Sequence, residues 1–282
     1  MDVVKSYAKI NLGLSVVKKT KKNYHKLKMV MSQIELYDEI CFSECNDLIV
    51  LSDKEICEMC DNLCYKVALY LKQKYKVDSG VKIYIKKNIP DGGGLGGGSS
   101  NAAAVLKYLN SYWGLNLSQT KLKKIGFKFG CDIPFFITED ISYVYSYGEK
   151  VRPLKVVPQN TDVLLIIPQY KNSTKVIFEN HIIEKRNNKK IKTLIESLKE
   201  GEFVPKVYND LEKTVNYVTN NEHSNLVSML RKMGFENVAM SGSGSTIVVY
   251  LNKGDNASEM IEKIKKNILV AGIIASKLKM YS

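Results

Sequence analysis

The sequence predicts an α+β protein, and three observations carry that prediction. Apolar and polar residues alternate, with the two-residue period of a strand, over Val3 to Val17, Met29 to Phe42, Leu48 to Leu51 and Val81 to Ile85. Helical patterns follow at Lys54 to Tyr75, Ser100 to Tyr112 and Ser118 to Phe129. Beyond Arg152 strands and helices mix without regular strand-then-helix repetition, which separates this class from α/β.

Taken in order, the first extended stretch carries one lysine and one asparagine, Lys9 and Asn11, among apolar neighbours. In the first helix Ile56, Met59, Cys60, Leu63, Cys64, Val67 and Leu71 keep one face, and Ser52 with Glu55 forms a capping box. Cys57, Cys60 and Cys64, joined by Cys41 and Cys45, also have spacings open to zinc. Helical phase explains them better, as reduced thiols in a buried seam. The last part reads as a strand at Asp162 to Ile167 and a short helix at Thr174 to Asn180. Helical patterns follow at Lys190 to Leu198, Pro205 to Thr219 and Ser224 to Lys232. Strands at Thr246 to Leu251 and Ile268 to Ala275 then bracket a helix from Ala257 to Lys266. Pro153 and Pro158 punctuate the change of texture, so we expect domains at 1–155 and 156–282.

At 282 residues and 45% apolar content, the chain has material for one large or two modest cores. No apolar run reaches the roughly eighteen residues of a membrane span, and no signal region opens the chain, so we expect a cytoplasmic protein. The net charge of +13 raises a nucleic-acid reading. Only Arg152, Arg186 and Arg231 supply the guanidinium fork, and the lysines are spread along the chain, which favours a solvated basic surface that attracts anions.

The densest signal is Pro90-Asp91-Gly92-Gly93-Gly94-Leu95-Gly96-Gly97-Gly98-Ser99-Ser100, set between a strand and a helix. Glycine lets backbone approach an anion closely, and the free N–H groups at a helix start favour negative charge, so the run reads as a phosphate loop. A Walker loop is excluded because Gly98 runs into Ser99 without the required lysine. Gly92, Gly94 and Gly97 satisfy the dinucleotide spacing, but no acid follows about twenty residues on.

The loop resembles that of the small-molecule kinases related to galactokinase, homoserine kinase and mevalonate kinase. Two further segments complete the resemblance in the same order: Ser6-Tyr7-Ala8-Lys9-Ile10-Asn11-Leu12 and Met240-Ser241-Gly242-Ser243-Gly244-Ser245-Thr246. Ala8-Lys9-Ile10-Asn11-Leu12, Tyr24-His25-Lys26-Leu27 and Gly130-Cys131-Asp132-Ile133-Pro134-Phe135-Phe136 are similar specifically to the 4-diphosphocytidyl-2-C-methyl-D-erythritol kinase family. The resemblance implies an N-terminal domain like ribosomal protein S5 domain 2, a C-terminal ferredoxin-like domain and an active site between them. It implies transfer of phosphate from ATP to the 2-hydroxyl of 4-diphosphocytidyl-2-C-methyl-D-erythritol, a step of non-mevalonate isoprenoid synthesis.

Phosphoryl transfer needs a positioned nucleophile, charge neutralisation and exclusion of water. Asp132, beside an apolar Ile-Pro-Phe-Phe run, suits a general base, and Lys9 suits a partner that keeps it ionised. Alone, each has a plainer reading, Asp132 as a helix cap and Lys9 as a snorkelling side chain. The resemblance makes them the catalytic pair. It also sets Lys87 near the adenine and the backbone from Pro90 through Asp91 and Gly92 to Ser100 around the ATP phosphates, with Ser99 or Ser100 near Mg²⁺. No carboxylate cluster dedicated to that ion is visible in the sequence, and Mg²⁺ is inferred from the chemistry. Tyr24 and His25 offer a stacking face and a polar reader for cytosine, and the resemblance implies that Phe178 supplies the second face and Asn11 a contact to the polyol or base edge. A homoserine, mevalonate or sugar kinase and a non-catalytic nucleotide-binding module remain the alternatives. Thr138 to Tyr143 lacks the family's glycines and Ser146 replaces one, so the loop after the active site is expected to differ in shape.

Overall fold

A computed structural model describes residues 1–20, 24–54, 57–156, 161–183, 188–201 and 206–280. The four alternating stretches form β1 (Asp2–Lys19), β2 (His25–Ser43), β3 (Leu48–Ser52) and β4 (Val81–Lys86). β1 and β2 run antiparallel along almost their whole length. β4 pairs with the second half of β2, while β5 (Ser142–Ser146) pairs with its first half and continues into β6 (Lys150–Pro153). The second sheet is antiparallel, in the order β11 (Gly272–Lys277), β7 (Asp162–Ile167), β10 (Ile247–Tyr250), β9 (Val238–Met240).

Burial explains the layering. α1 (Leu63–Tyr75), α2 (Gly97–Tyr112), α3 (Gln119–Phe127) and α4 (Ile133–Thr138) cover one face of the first sheet, with Leu71, Leu106 and Phe135 in one core with Ile40, Phe42 and Ile83. The irregularity in β1 pairing between Asn11 and Gly13 changes which residues face that core, so Ala8, Ile10 and Leu12 point the other way. There they meet Val163, Leu165 and Val248 of the second sheet and Ile191 and Leu194 of α6 (Asn188–Glu200). α8 (Glu222–Lys232) and α9 (Ala257–Asn267) close the outer face of the second sheet through Leu230 and Ile264. The central strand β7 is buried on both faces, which its unbroken Val-Leu-Leu-Ile run requires. No helix among the described residues is long and apolar enough to cross a membrane.

Several expected boundaries move for local reasons. α1 begins at Leu63, because the Asn62 side chain accepts from the Cys64 N–H at 2.9 Å and caps it there. Met59–Asp61 is a separate 3₁₀ turn with Cys57 and Cys60 exposed, so among the described residues of the expected seam only Cys64, Val67 and Leu71 are buried. Glu55 and Ile56, and with them the expected capping box, lie outside the described residues. Burial pushes the Cys64 thiol up to about 12, and no metal-holding group of three His, Cys, Asp or Glu exists among the described residues. The helix expected from Pro205 is shorter: β8 (Tyr208–Asn209) pairs parallel to β1, and α7 (Glu212–Val218) follows. Pro205 itself lies outside the described residues. The Asn209 Oδ1 accepts from the Leu211 N–H at 2.9 Å and turns the chain there. α4, β5 and β6 lacked a readable period. At the end of β5 Ser146 keeps φ +68°, a left-handed conformation that costs a non-glycine residue about 1 kcal/mol, at the position where the resemblance leads one to expect glycine.

Candidate active site

The loop after β4 is shaped by alternating left-handed glycines, with φ of +70° at Gly92, +74° at Gly94 and +72° at Gly96. Leu95 is buried and pins the middle, while Asp91 and Gly92 are exposed and Pro90 is half-buried. A Cβ on Gly94 would overlap the Ser241 carbonyl, and one on Gly96 would stand 2.9 Å from the Phe136 ring. Gly96 precedes α2 without a side-chain cap. Among the described residues no acceptor engages the N–H groups of Gly96, Gly97, Gly98 and Ser99. These are the orphan donors of a helix start, and with the macrodipole they form an anion cradle.

Three distant segments meet at this cradle. The Lys9 N–H donates to the Leu95 carbonyl at 2.9 Å, and the Ser241 hydroxyl donates to the Gly94 carbonyl at 2.9 Å. The Asn11 Oδ1 accepts from the Gly242 N–H at 2.8 Å and from the Lys9 Nζ at 2.8 Å. The Lys9 side chain is buried, and its pKa is lowered by burial and partly restored by the attraction of Asp132. Asp132 occupies the N-cap position of α4 but makes no capping hydrogen bond, which leaves its carboxylate directed by the backbone rather than spent on the helix. The two are electrostatic neighbours without a direct ion pair.

Two expected contacts turn inward instead. The Lys87 ammonium is buried, paired with Asp38 and donated to the Asn101 Oδ1 at 3.1 Å, so its side chain is not presented to an adenine. The Ser100 hydroxyl donates to the Tyr7 carbonyl at 2.7 Å and accepts from Ser6 at 2.7 Å, so Ser99, half-buried beside Gly130, is the serine left at the cradle. Burial wins in both cases because each group finds polar partners in the interior.

His25 is buried, and its ring lies 5.2 Å from that of Phe178, tilted by 35°. A base cannot enter between those two rings as they stand. Tyr24 is exposed, with its ring edge-on to Tyr147 at 6.2 Å. Burial, with Lys19 and His181 nearby, lowers the His25 pKa. Buried polar atoms without partners among the described residues include His25 Nε2, Asn11 Nδ2 and Thr246 Oγ1. Such orphans fit a polar ligand, since an unpaired buried donor is costly. A cleft of about 840 Å³ is lined by His181, Tyr208, Thr214 and Arg231 among others, and by neither the His25 and Phe178 rings nor the glycine loop.

Sequence reasoning missed Asn209 and Glu212. The Asn209 Nδ2 donates to the Met240 and Gly242 carbonyls at 2.8 and 2.7 Å, and the Glu212 carboxylate accepts from the Met240 N–H at 2.6 Å. Together they fasten the third glycine-serine segment. Their only signal was the polar Asn-Asp-Leu-Glu tract inside an otherwise helical pattern.

Comparison with known proteins agrees with this geometry. The family described as "GHMP kinases N terminal domain" matches residues 62–139. A 4-diphosphocytidyl-2-C-methyl-D-erythritol kinase of Clostridioides difficile (strain 630) is 36% identical, covering 96% of this chain and 95% of that one. A crystal structure of a 4-(cytidine 5'-diphospho)-2C-methyl-D-erythritol kinase superposes with a TM-score of 0.82 at 25% identity, over 99% of this chain and 100% of the other. Homoserine kinase from Cytophaga hutchinsonii shares the fold, with a TM-score of 0.72 at 15% identity over 99% of this chain and 95% of that one. With the anion cradle, the buried lysine and the three converging segments, this similarity along nearly the whole chain establishes that the protein belongs to the 4-diphosphocytidyl-2-C-methyl-D-erythritol kinase family.

Proposed function

We propose that the protein phosphorylates the 2-hydroxyl of 4-diphosphocytidyl-2-C-methyl-D-erythritol with ATP, yielding the 2-phosphate and ADP. The observation that carries the reading is the meeting of Lys9, the start of α2 and the Ser241 segment, with Asp132 in electrostatic reach of Lys9. In this reading the free N–H groups of Gly96 to Ser99 bind phosphate oxygens, and their dipole stabilises charge that develops on transfer. Asp132 takes the proton from the acceptor hydroxyl, and Lys9, which that carboxylate attracts, neutralises the incoming charge. Asn11 holds Lys9 in place through Oδ1 and offers its free Nδ2 to the acceptor.

Mg²⁺ fits this donor set as an ion that arrives with the phosphates, with Ser99 as its candidate protein ligand, and when bound it would offset phosphate charge. Tyr24, His25 and Phe178 form the cytidine pocket in this reading, His25 through its orphaned Nε2. The His25 and Phe178 rings must part, or the base must lie along Phe178 on the side away from His25. Residues 1–155 supply the phosphate cradle and the base, and residues 156–282 complete the acceptor site through Phe178 and the Ser241 segment. A cytoplasmic location goes with the reading, since free thiols persist there.

The test is ADP release from purified protein with Mg-ATP and, in parallel, the cytidyl methylerythritol diphosphate, homoserine, mevalonate and galactose. Turnover with the cytidyl compound alone is the expected result. Turnover with a different acceptor would remove the cytidine pocket from the account, and none with any acceptor, with ATP still bound, would point to a binding module.

A further inference from the structure

Beneath the glycine loop lies a connected polar network that the transfer chemistry does not use. Asp38, fully buried on β2, stands opposite Ser6 of β1. Its Oδ1 accepts from the N–H groups of Asn88 at 2.7 Å and Ile89 at 2.9 Å, the residues that lead into Pro90. Its Oδ2 accepts from the Asn101 Nδ2 at 2.9 Å and from the Lys87 ammonium. Asn101 lies in α2 just past the loop and also donates to the Ser6 hydroxyl at 3.0 Å, which in turn donates to Ser100. One carboxylate therefore grips the loop where the chain enters and where it leaves and ties both ends to β2, while Asn101 and Ser100 tie the exit to Ser6 on β1, the strand that carries Lys9.

We propose that Asp38 is a positioning residue for ATP: by bridging Asn88 and Ile89 to Asn101 it sets the width of the loop's neck and so the aim of the N–H groups at Gly96 to Ser99. The inference rests on the proposed function, because it takes the loop to hold the ATP phosphates. Charge explains why an ion pair does this work. Lys87 Nζ would be 3.3 Å from a Cβ on Gly97, directly under the start of α2. A lone ammonium there would face the positive end of the helix dipole, and a lone carboxylate would repel the phosphates. The pair presents no net charge and leaves the orphan N–H groups to the ligand. A hydrophobic pair of the same volume could fill the space, but it would not fix three backbone segments at once.

The test measures the dissociation constant of Mg-ATP by calorimetry and the KM of ATP and of the acceptor in wild type, Asn101→Ala and Asp38→Asn. Asn101→Ala keeps the Lys87–Asp38 pair and so remains informative if Asp38→Asn fails to fold. It is expected to weaken ATP binding about tenfold, by loss of pre-orientation, with the acceptor KM unchanged and the unfolding temperature well above that of the assay. Asp38→Asn, where folded, should shift ATP binding in the same direction and further. Unchanged ATP binding in folded Asn101→Ala, or an equal loss for ATP and acceptor, overturns the proposal. Wild type that binds ATP but turns over no acceptor would defeat the kinase reading and leave the clamp to be judged on ATP binding alone.

Discussion

Lys9 sits where burial favours the neutral amine and Asp132 favours the ammonium, so the charge state of one group depends on the other. Asp132→Asn removes both the proton acceptor and the attraction that holds the lysine charged, and Lys9 then titrates at lower pH than in wild type. The expected outcome is a fall in turnover of at least about 10²-fold, with Mg-ATP affinity within a few-fold of wild type by calorimetry. Full turnover in that variant would remove Asp132 from the base role. At this scale the sequence was informative about residue type and less so about direction. Lys9 bonds to the glycine loop, Asn11 to Lys9 and the Ser241 turn, and Asp132 stands in electrostatic reach of Lys9, whereas Lys87 and Ser100 turn inward because Asp38, Asn101, Ser6 and the Tyr7 carbonyl satisfy them there.

Among the elements, the glycine loop and the Ser241 turn are shaped by each other. Gly94 has both a left-handed φ and the Ser241 carbonyl against its missing Cβ, while Gly92 has the same kind of φ and nothing within 4 Å. Gly92→Ala should therefore cost only the backbone term, about 1 kcal/mol. Gly94→Ala adds a clash with main chain and should cost at least about 2 kcal/mol more, together with a clear loss of ATP affinity. Urea unfolding of the two variants checks the difference, and equal costs would mean that the Ser241 turn yields freely. Elements with a clean period, such as β1, β4 and α9, were legible, while α4 was not. Its Ile-Pro-Phe-Phe-Ile run is buried on every side and so carries no period to read.

Across the whole molecule, burial also holds some titratable groups neutral. His223 on α8 is buried, with Nδ1 hydrogen-bonded to the Tyr170 hydroxyl at 2.8 Å, and burial lowers its pKa from 6.5 to about 4. Above pH 6.5 the ring is neutral folded and unfolded, and it affects stability little. As pH falls from 6.5 toward 4 the unfolded chain takes up the proton first, so stability drops across that window, by roughly 3 kcal/mol in all. Urea unfolding between pH 7.5 and 4.5, stepped in about 0.5-unit intervals, should show this loss, and His223→Gln should flatten it. An identical pH profile in that variant would assign the loss to other groups, His25 first among them.

The sequence by itself determined what local pattern can encode: the strands that alternate, the helices with one apolar face, the glycine run that leaves backbone donors free, and the order of the three segments that mark the family. Only the tertiary structure decided which polar groups face the ligand and which serve as supports. Asn11 and Gly242 are 231 residues apart in the chain, yet one hydrogen bond between them orients both. Asp38 drew no attention in its strand, because its role exists only once β2, the loop entry and α2 close around it. A carboxylate in that dry interior must find partners wherever the fold brings them, and the fold brings them from both ends of the phosphate loop.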